Sequence, residues 1–370
     1  MLDDLLGYLR QVAPDVANVG ILQPADPFLE TAGEDLRRRI FITETVNGVV
    51  HCLRPEFTIP ICLSHLSAST DGGTARRYAY GGTVFRQARS GANEFQQAGL
   101  EDLGNPDRVA ADVASIGDMV AALARVGISS PEIVLGDQNL FTVVVESLQL
   151  PQAVARRLVR SFGNAKLIDA QIRRLTEKKR EANGQGEIER LALAGDHQGL
   201  VSHIEDRMRA GNLAPQAGRS PQAIAERTID LVREQQFLLS ADSADILRRY
   251  LALQMPLAEA PEALKSFADE TGLSFGLAGK EFVERVEVLS NADLDMSTMT
   301  YKASFGRNLE YYTGVLFEAA SGEVAVAGGG DGNNAVGAGG GWRWRWRWNE
   351  CRCGRRCWWS CTCVSSLQFA

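Results

Sequence analysis

VFRQARSGANEFQQAGLE, residues 84–101, sets two arginines, two glutamates and three glutamines into sequence that otherwise reads as sheet. Two strands are expected, RRYAYGGTVFRQAR and NEFQQAGLEDLG, joined by a loop through Ser90, Gly91 and Ala92 and paired antiparallel. Side chains two apart on a strand share a face, so Phe95, Gln97, Gly99 and Glu101 lie together. An amide and a carboxylate flanking a residue without a side chain line a hollow suited to an ammonium or an imidazole. The alternative is the polar outer face of an edge strand. Arg86 faces opposite to Phe85, and an arginine fork holds a carboxylate or phosphate through two hydrogen bonds.

Working outward, RRRIFITETVNGVVHCLRPEF carries β-rich segments on either side of Asn47-Gly48, a strong hairpin signal, and ends at Pro55. Glu56 then stands at a strand end, either as a ligand group or as a carboxylate complementing a helix start. Before this hairpin, Leu2, Leu5, Leu6, Leu9 and Val12 share one helical face. After residue 101, Asn105-Pro106 opens a helix with an Asn cap, closed by Gly127, and PEIVLGD reads as a buried strand. From Pro151 to Glu259 strand signals vanish and Leu/Ala-rich helical periodicity takes over, so a helical insertion is expected there. Two more helices, APEALKSFADETG and KEFVERVEVLS, lead to TMTYKASFG and LEYYTGVLFEAA, where strand propensity returns. The sheet is therefore drawn from both ends of the chain. Tyr312, in the last of these segments, reads as a core tyrosine or a pocket wall.

Composition excludes several classes. A chain of 370 residues with 45% hydrophobic content can bury one large core or two smaller ones. No window reaches the roughly 18 to 20 apolar residues of a bilayer span, and MLDDLLGYLR is acidic where a secretory signal is basic. A soluble cytoplasmic protein without membrane association is expected. Trp342–Ala370 holds six arginines and one acidic residue, +5, so residues 1–341 stand at −7 − 5 = −12. Such an acidic surface repels phosphate backbones, and nucleic acid is not an expected partner.

Those last 29 residues contain all six tryptophans and five of the seven cysteines. Cys351, Cys353, Cys357, Cys361 and Cys363 lack the paired C-x-x-C spacing of zinc sites, so no metal is expected. Tryptophan has one codon, TGG. TGG alternating with arginine CGN reads, two bases along, as alanine alternating with leucine, valine or methionine. The break falls in the glycine-rich run AGGGDGNNAVGAGGGW, and residues 331–370 are expected to be an anomalous tail, frame-shifted or disordered.

Four segments, LRPEFT, FRQARSGANEFQQAGLEDLG, GRNLEYYTGVLFE and AGGG, occur in the order and rough spacing seen in histidyl-tRNA synthetases, over residues 1 to about 330. The resemblance implies an α+β fold: a class II aminoacyl-tRNA synthetase-like antiparallel sheet, six-stranded and flanked by helices, with residues 151–259 as a helical insertion within a 1–330 domain. Residue by residue, it implies that Glu56, Thr58, Gln97 and Glu101 surround the amino group and ring of a bound histidine, with Tyr311 and Tyr312 near the imidazole. Arg86 matches the arginine that grips the carboxylate and α-phosphate. Arg307 matches the arginine that stabilises negative charge in adenylate formation, a role suited to a permanent guanidinium.

Departures from that pattern bear on activity. Ala88 stands where the synthetase carries a glutamate two residues after the arginine, and Phe57 replaces the glycine of RPEGT, putting a bulky ring beside the substrate loop. The family's RYD after the glycine run is DGN here, and neither a motif 3 nor an anticodon-binding domain is expected behind it. LQPADPFLETAGEDLRRRIFITE, CLRPEFTIP, RYAYGGTVFRQ and QAGLEDLG resemble instead the ATP phosphoribosyltransferase regulatory subunits, synthetase-like proteins that lack the anticodon domain. This resemblance implies a non-catalytic subunit without a cofactor. It implies pairing with a short catalytic phosphoribosyltransferase in the first step of histidine biosynthesis, self-dimerisation, and L-histidine as effector. A catalytic histidyl-tRNA synthetase or truncated relative, and a free-standing amino-acid-binding module, are the alternatives.

Overall fold

The computed structural model describes residues 2–31, 34–68, 75–88, 90–177, 186–210, 220–306, 312–331 and 361–363. Among them the strands, in chain order, are β1 (Asp15–Val16), β2 (Leu22–Pro24), β3 (Ile42–Glu44), β4 (Val50–Leu53), β5 (Arg76–Phe85), β6 (Glu94–Leu103), β7 (Glu132–Asp137), β8 (Gln254–Pro256), β9 (Met299–Lys302), β10 (Val315–Ser321), β11 (Val324–Gly330) and β12 (Cys361–Cys363). The chain divides into two compact units, one of residues 1–147, 162–164 and 249–370, the other of 148–161 and 165–248.

In the first unit β5 and β6 pair antiparallel over ten residues each, Tyr78 opposite Glu101, Tyr80 opposite Gly99 and Gly82 opposite Gln97. β1 and β12 extend this ribbon on either side, giving the order β1-β5-β6-β12. A helix serves each face. Leu2–Val12 buries Leu5 and Leu9 and lays Leu6 against Gly81 of β5. On the opposite face, Ile61 and Cys62 of helix Thr58–Ala68 pack with Phe57, Tyr80, Val84 and Leu103. The hairpin expected at Asn47-Gly48 forms as β3 and β4, with Gly48 at φ +78 as its turn requires and β2 on the other side of β4.

The other strands run in the order β11-β10-β7-β9-β8, drawn from both halves of the sequence as expected. Hydrogen bonding among the described residues thus gives four-, five- and three-stranded sheets, where one six-stranded antiparallel sheet was expected. β7 and β9 are parallel, a pairing that needs a crossover connection, and the helices between residues 137 and 299 supply it. Two local expectations are corrected. The cap of helix Arg108–Arg125 is Asp107, whose carboxylate accepts the Ala110 amide at 3.0 Å, while Asn105 braces the Asp107 amide at 3.1 Å. Residues 254–256, inside the stretch read as wholly helical, form β8, where pairing to β9 overrides a weak local signal.

The second unit is helical: Gln152–Arg160, Ala165–Thr176, Glu187–Ala194, His197–Ala210, Pro221–Gln236 and most of Ala241–Leu251. Its core joins Leu191, Leu200, Ile204, Ala225, Ile229 and Val232, one apolar stripe from each of three helices. Gly195, at φ +67, closes the first of these and Asp196 opens the next by accepting the Gly199 amide at 2.8 Å. Of residues 331–370, expected as an anomalous tail, Asp331 and β12 are described: Asp331 is buried and its amide donates to the Val315 carbonyl at 2.8 Å, while β12 pairs Cys361 to Leu103 and Cys363 to Glu101.

Candidate functional site

The β5–β6 register puts Phe95, Gln97, Gly99 and Glu101 on one face with Tyr78, Tyr80 and Gly82, the face covered by Phe57 and helix Thr58–Ala68. Gln97 and Glu101 are buried, at 2% and 0% exposure, which removes the alternative of a solvated edge-strand face. Glu101 accepts a 2.7 Å hydrogen bond from the Thr58 hydroxyl. Gln97 Nε2 lies 3.5 Å from the Tyr80 hydroxyl, the outer limit of a hydrogen bond, and its Oε1 is buried without a hydrogen-bond partner among the described residues. A buried carbonyl oxygen left unmatched costs about 1–3 kcal/mol, so it marks a place where a donor is wanted.

Glu56 takes the helix-start role read from its position. Its carboxylate accepts the Thr58 amide at 2.7 Å and the Ile59 amide at 3.0 Å, capping helix Thr58–Ala68. Burial pushes this carboxyl up from its ordinary value, opposed by the two amides and by the charge of Arg86. Arg86 is near enough for its charge to act on the Glu56 carboxyl. Its Nε donates to the Pro55 carbonyl at 2.8 Å and its guanidinium lies 5.1 Å from the centre of the Phe95 ring. Glu56, Thr58, Glu101 and Arg86 are therefore one connected set, with Gln97 on the same face. Tyr312, 1% exposed, is placed by the lead into β10 and sits against Gly330 of β11. Arg307 and Tyr311 lie outside the described residues.

Phe57, read as a bulky ring at the loop against the substrate, is a buried ring on the same β5–β6 face. It is 2% exposed and stacks on Tyr80 with centroids 4.8 Å apart, while Arg54 covers its other side at 4.0 Å. Gly82, whose Cβ would come within 3.3 Å of the ring, makes the room. The side chain the synthetase lacks has become core. Tyr80 was missed as a site residue, although its place opposite Gly99 follows from alternation once the register is known.

Comparison with known proteins agrees with this architecture. The histidyl-tRNA synthetase family profile matches residues 15–228. The ATP phosphoribosyltransferase regulatory subunit of Mesorhizobium japonicum is 47% identical over 314 residues, 84% of this chain and 84% of that protein. The one from Allorhizobium ampelinum is 45% identical over 311 residues, covering 84% and 83%. The chain belongs to this family of regulatory subunits. A solved structure described as an ATP phosphoribosyltransferase regulatory subunit/histidyl-tRNA synthetase from Bacillus halodurans C superposes with a TM-score of 0.61 at 18% identity, over 99% of this chain and 76% of that one. The histidine–tRNA ligase subunit of Alicyclobacillus acidocaldarius gives 0.55 at 17% identity, over 98% and 88%. The fold is thus α+β and class II synthetase-like. No helix of the described residues is long and apolar enough to cross a membrane.

Proposed function

We propose that this protein is the non-catalytic regulatory subunit of an ATP phosphoribosyltransferase, acting in the first step of histidine biosynthesis and sensing free L-histidine. The observation that carries this reading is the 43–47% identity to regulatory subunits over 84–88% of the chain. The protein works in the cytoplasm, bound to a short catalytic subunit and to a second copy of itself. Histidine occupies the face of Glu56, Thr58, Gln97 and Glu101, with Arg86 at its carboxylate and Arg307, Tyr311 and Tyr312 closing the set. The orphan Gln97 oxygen supports the reading, because an imidazole N–H or an ammonium would satisfy it. Glu101, buried on the same face, adds a carboxyl whose oxygens can accept from an ammonium or a ring N–H.

The chain performs no adenylation in this reading. Ala88 offers no carboxylate where the synthetase carries a glutamate. The test is co-expression with the short catalytic subunit and assay of phosphoribosyl transfer to ATP across a histidine titration. Glu101→Ala should leave the complex assembled but raise the histidine concentration needed for inhibition. Inhibition unchanged by Glu101→Ala would put the sensing site elsewhere, and histidine-dependent pyrophosphate exchange by the lone chain would make it a synthetase.

A further inference from the structure

Tyr312 is followed by a short connection, Thr313-Gly314, into β10, and that connection is held from both sides. The backbone carbonyl of Asp331 accepts the amides of Thr313 and Gly314 at 3.0 and 3.3 Å, and the Gly314 carbonyl accepts the Gln138 amide at 3.0 Å. Gly314 and Gly330 allow the close approach. A Cβ on Gly314 would come within 2.5 Å of the Asp331 carboxylate, and one on Gly330 within 2.6 Å of the Val315 carbonyl and 3.1 Å of the Tyr312 ring.

From these two anchors the interactions continue until they meet. The Asp331 carboxylate is paired with Arg108, whose Nε donates to it at 3.1 Å. Arg108 opens the helix that follows β6, and Asp112 lies one turn along on the same side. Asp112 binds Arg285 of helix Gly276–Asn291 at 2.7 and 2.9 Å, and the same guanidinium stands 3.7 Å from Asp137. Asp137 ends β7 and adjoins Gln138, the residue that holds Gly314. Asp112 and Asp331 are 0% exposed, Asp137 and Arg285 3%. The circuit runs Gly314, Asp331, Arg108, Asp112, Arg285, Asp137, Gln138 and back to Gly314.

Three buried carboxylates face two guanidiniums here, with Glu281 adding its field at Arg108. Retaining so many charges in a core is costly, and isosteric apolar packing is often as stable. What the charges add is direction: each link has one geometry and joins elements far apart in sequence. Two of those elements bear on the proposed histidine site, the helix continuing from β6, which carries Gln97 and Glu101, and the connection carrying Tyr312.

We propose that Arg108 and Asp331, braced by Asp112, Arg285 and Asp137, are positioning residues that set Tyr312 against the β6 face for histidine recognition. They touch no ligand; they act through Tyr312. This rests on the histidine-sensing reading above.

The test is a double-variant cycle for histidine binding, measured calorimetrically on the full chain, with urea unfolding run in parallel. Arg108→Gln should weaken histidine binding roughly ten-fold, and in a Tyr312→Phe background the same change should cost less than about two-fold, because linked residues are non-additive where independent ones are additive. Equal losses in both backgrounds, or no loss, would overturn the positioning role, whatever Arg108→Gln does to stability. Should Arg108→Gln not fold, Arg108→Lys keeps the charge but loses the Nε donor, and the same comparison decides. Absence of histidine binding by the unaltered chain would instead overturn the histidine reading, and the positioning role with it.

Discussion

Asp112→Asn isolates the electrostatics of the buried circuit. Asp112 is fully buried, and burial pushes its carboxyl up to about 7, with Asp331 adding to the effect and Arg285 and Arg108 opposing it. Its Oδ1 has no hydrogen-bond partner among the described residues, so it can hold a proton while Oδ2 stays on Arg285. A folded-state value above the unfolded one gives stability that is complete below the unfolded pKa, about 3.9, and is lost as pH rises through the folded value. With the folded value at about 7, the loss is of the order of a few kcal/mol, most of it falling between pH 5 and pH 8. The amide that replaces the carboxyl does not titrate. The stability of Asp112→Asn minus that of the unaltered chain should therefore rise from pH 5 to pH 8, by an amount of the order of a few kcal/mol and whatever its absolute offset. Urea unfolding at four pH values, analysed by linear extrapolation, reads this directly. A gap independent of pH, or one that narrows as pH rises, would mean that Arg285 keeps Asp112 ionised throughout, and the reasoning would fail.

Thr58→Val removes the donor to Glu101 and should destabilise by about 1–3 kcal/mol, seen as a lower urea midpoint. Because Phe57 is stacked core, Phe57→Ala should cost about 3–5 kcal/mol and restore no synthetase activity, checked by unfolding and by pyrophosphate exchange. Two glycines of the sheets should respond differently to alanine in thermal melts. Gly136→Ala meets the Phe305 backbone carbonyl and should lower Tm sharply or prevent folding, whereas Gly81→Ala meets only the end of the Leu6 side chain, which can turn away, and should shift Tm by a few degrees.

Local periodicity and turn chemistry were enough to draw the helix over Leu2–Val12, the hairpin about Asn47-Gly48, the β5–β6 pair and β7, because each is specified by neighbours a few residues away. The same alternation put Gln97 and Glu101 on one face, and the order of motifs led to the family. Three features could not be read in this way. β8 has little strand signal of its own and exists because β9 offers it hydrogen bonds. Phe57 and Gly82 are complementary across 25 residues, and only packing shows that the ring fills the room the glycine leaves. The charge circuit joins Arg108 to Asp331 and Asp112 to Arg285, separations of 223 and 173 residues. In one dimension each of these charges looks like part of a solvated helix face or a loop. Burial turns it into a fixed link, since a charge removed from water must find its partner wherever the chain has brought one.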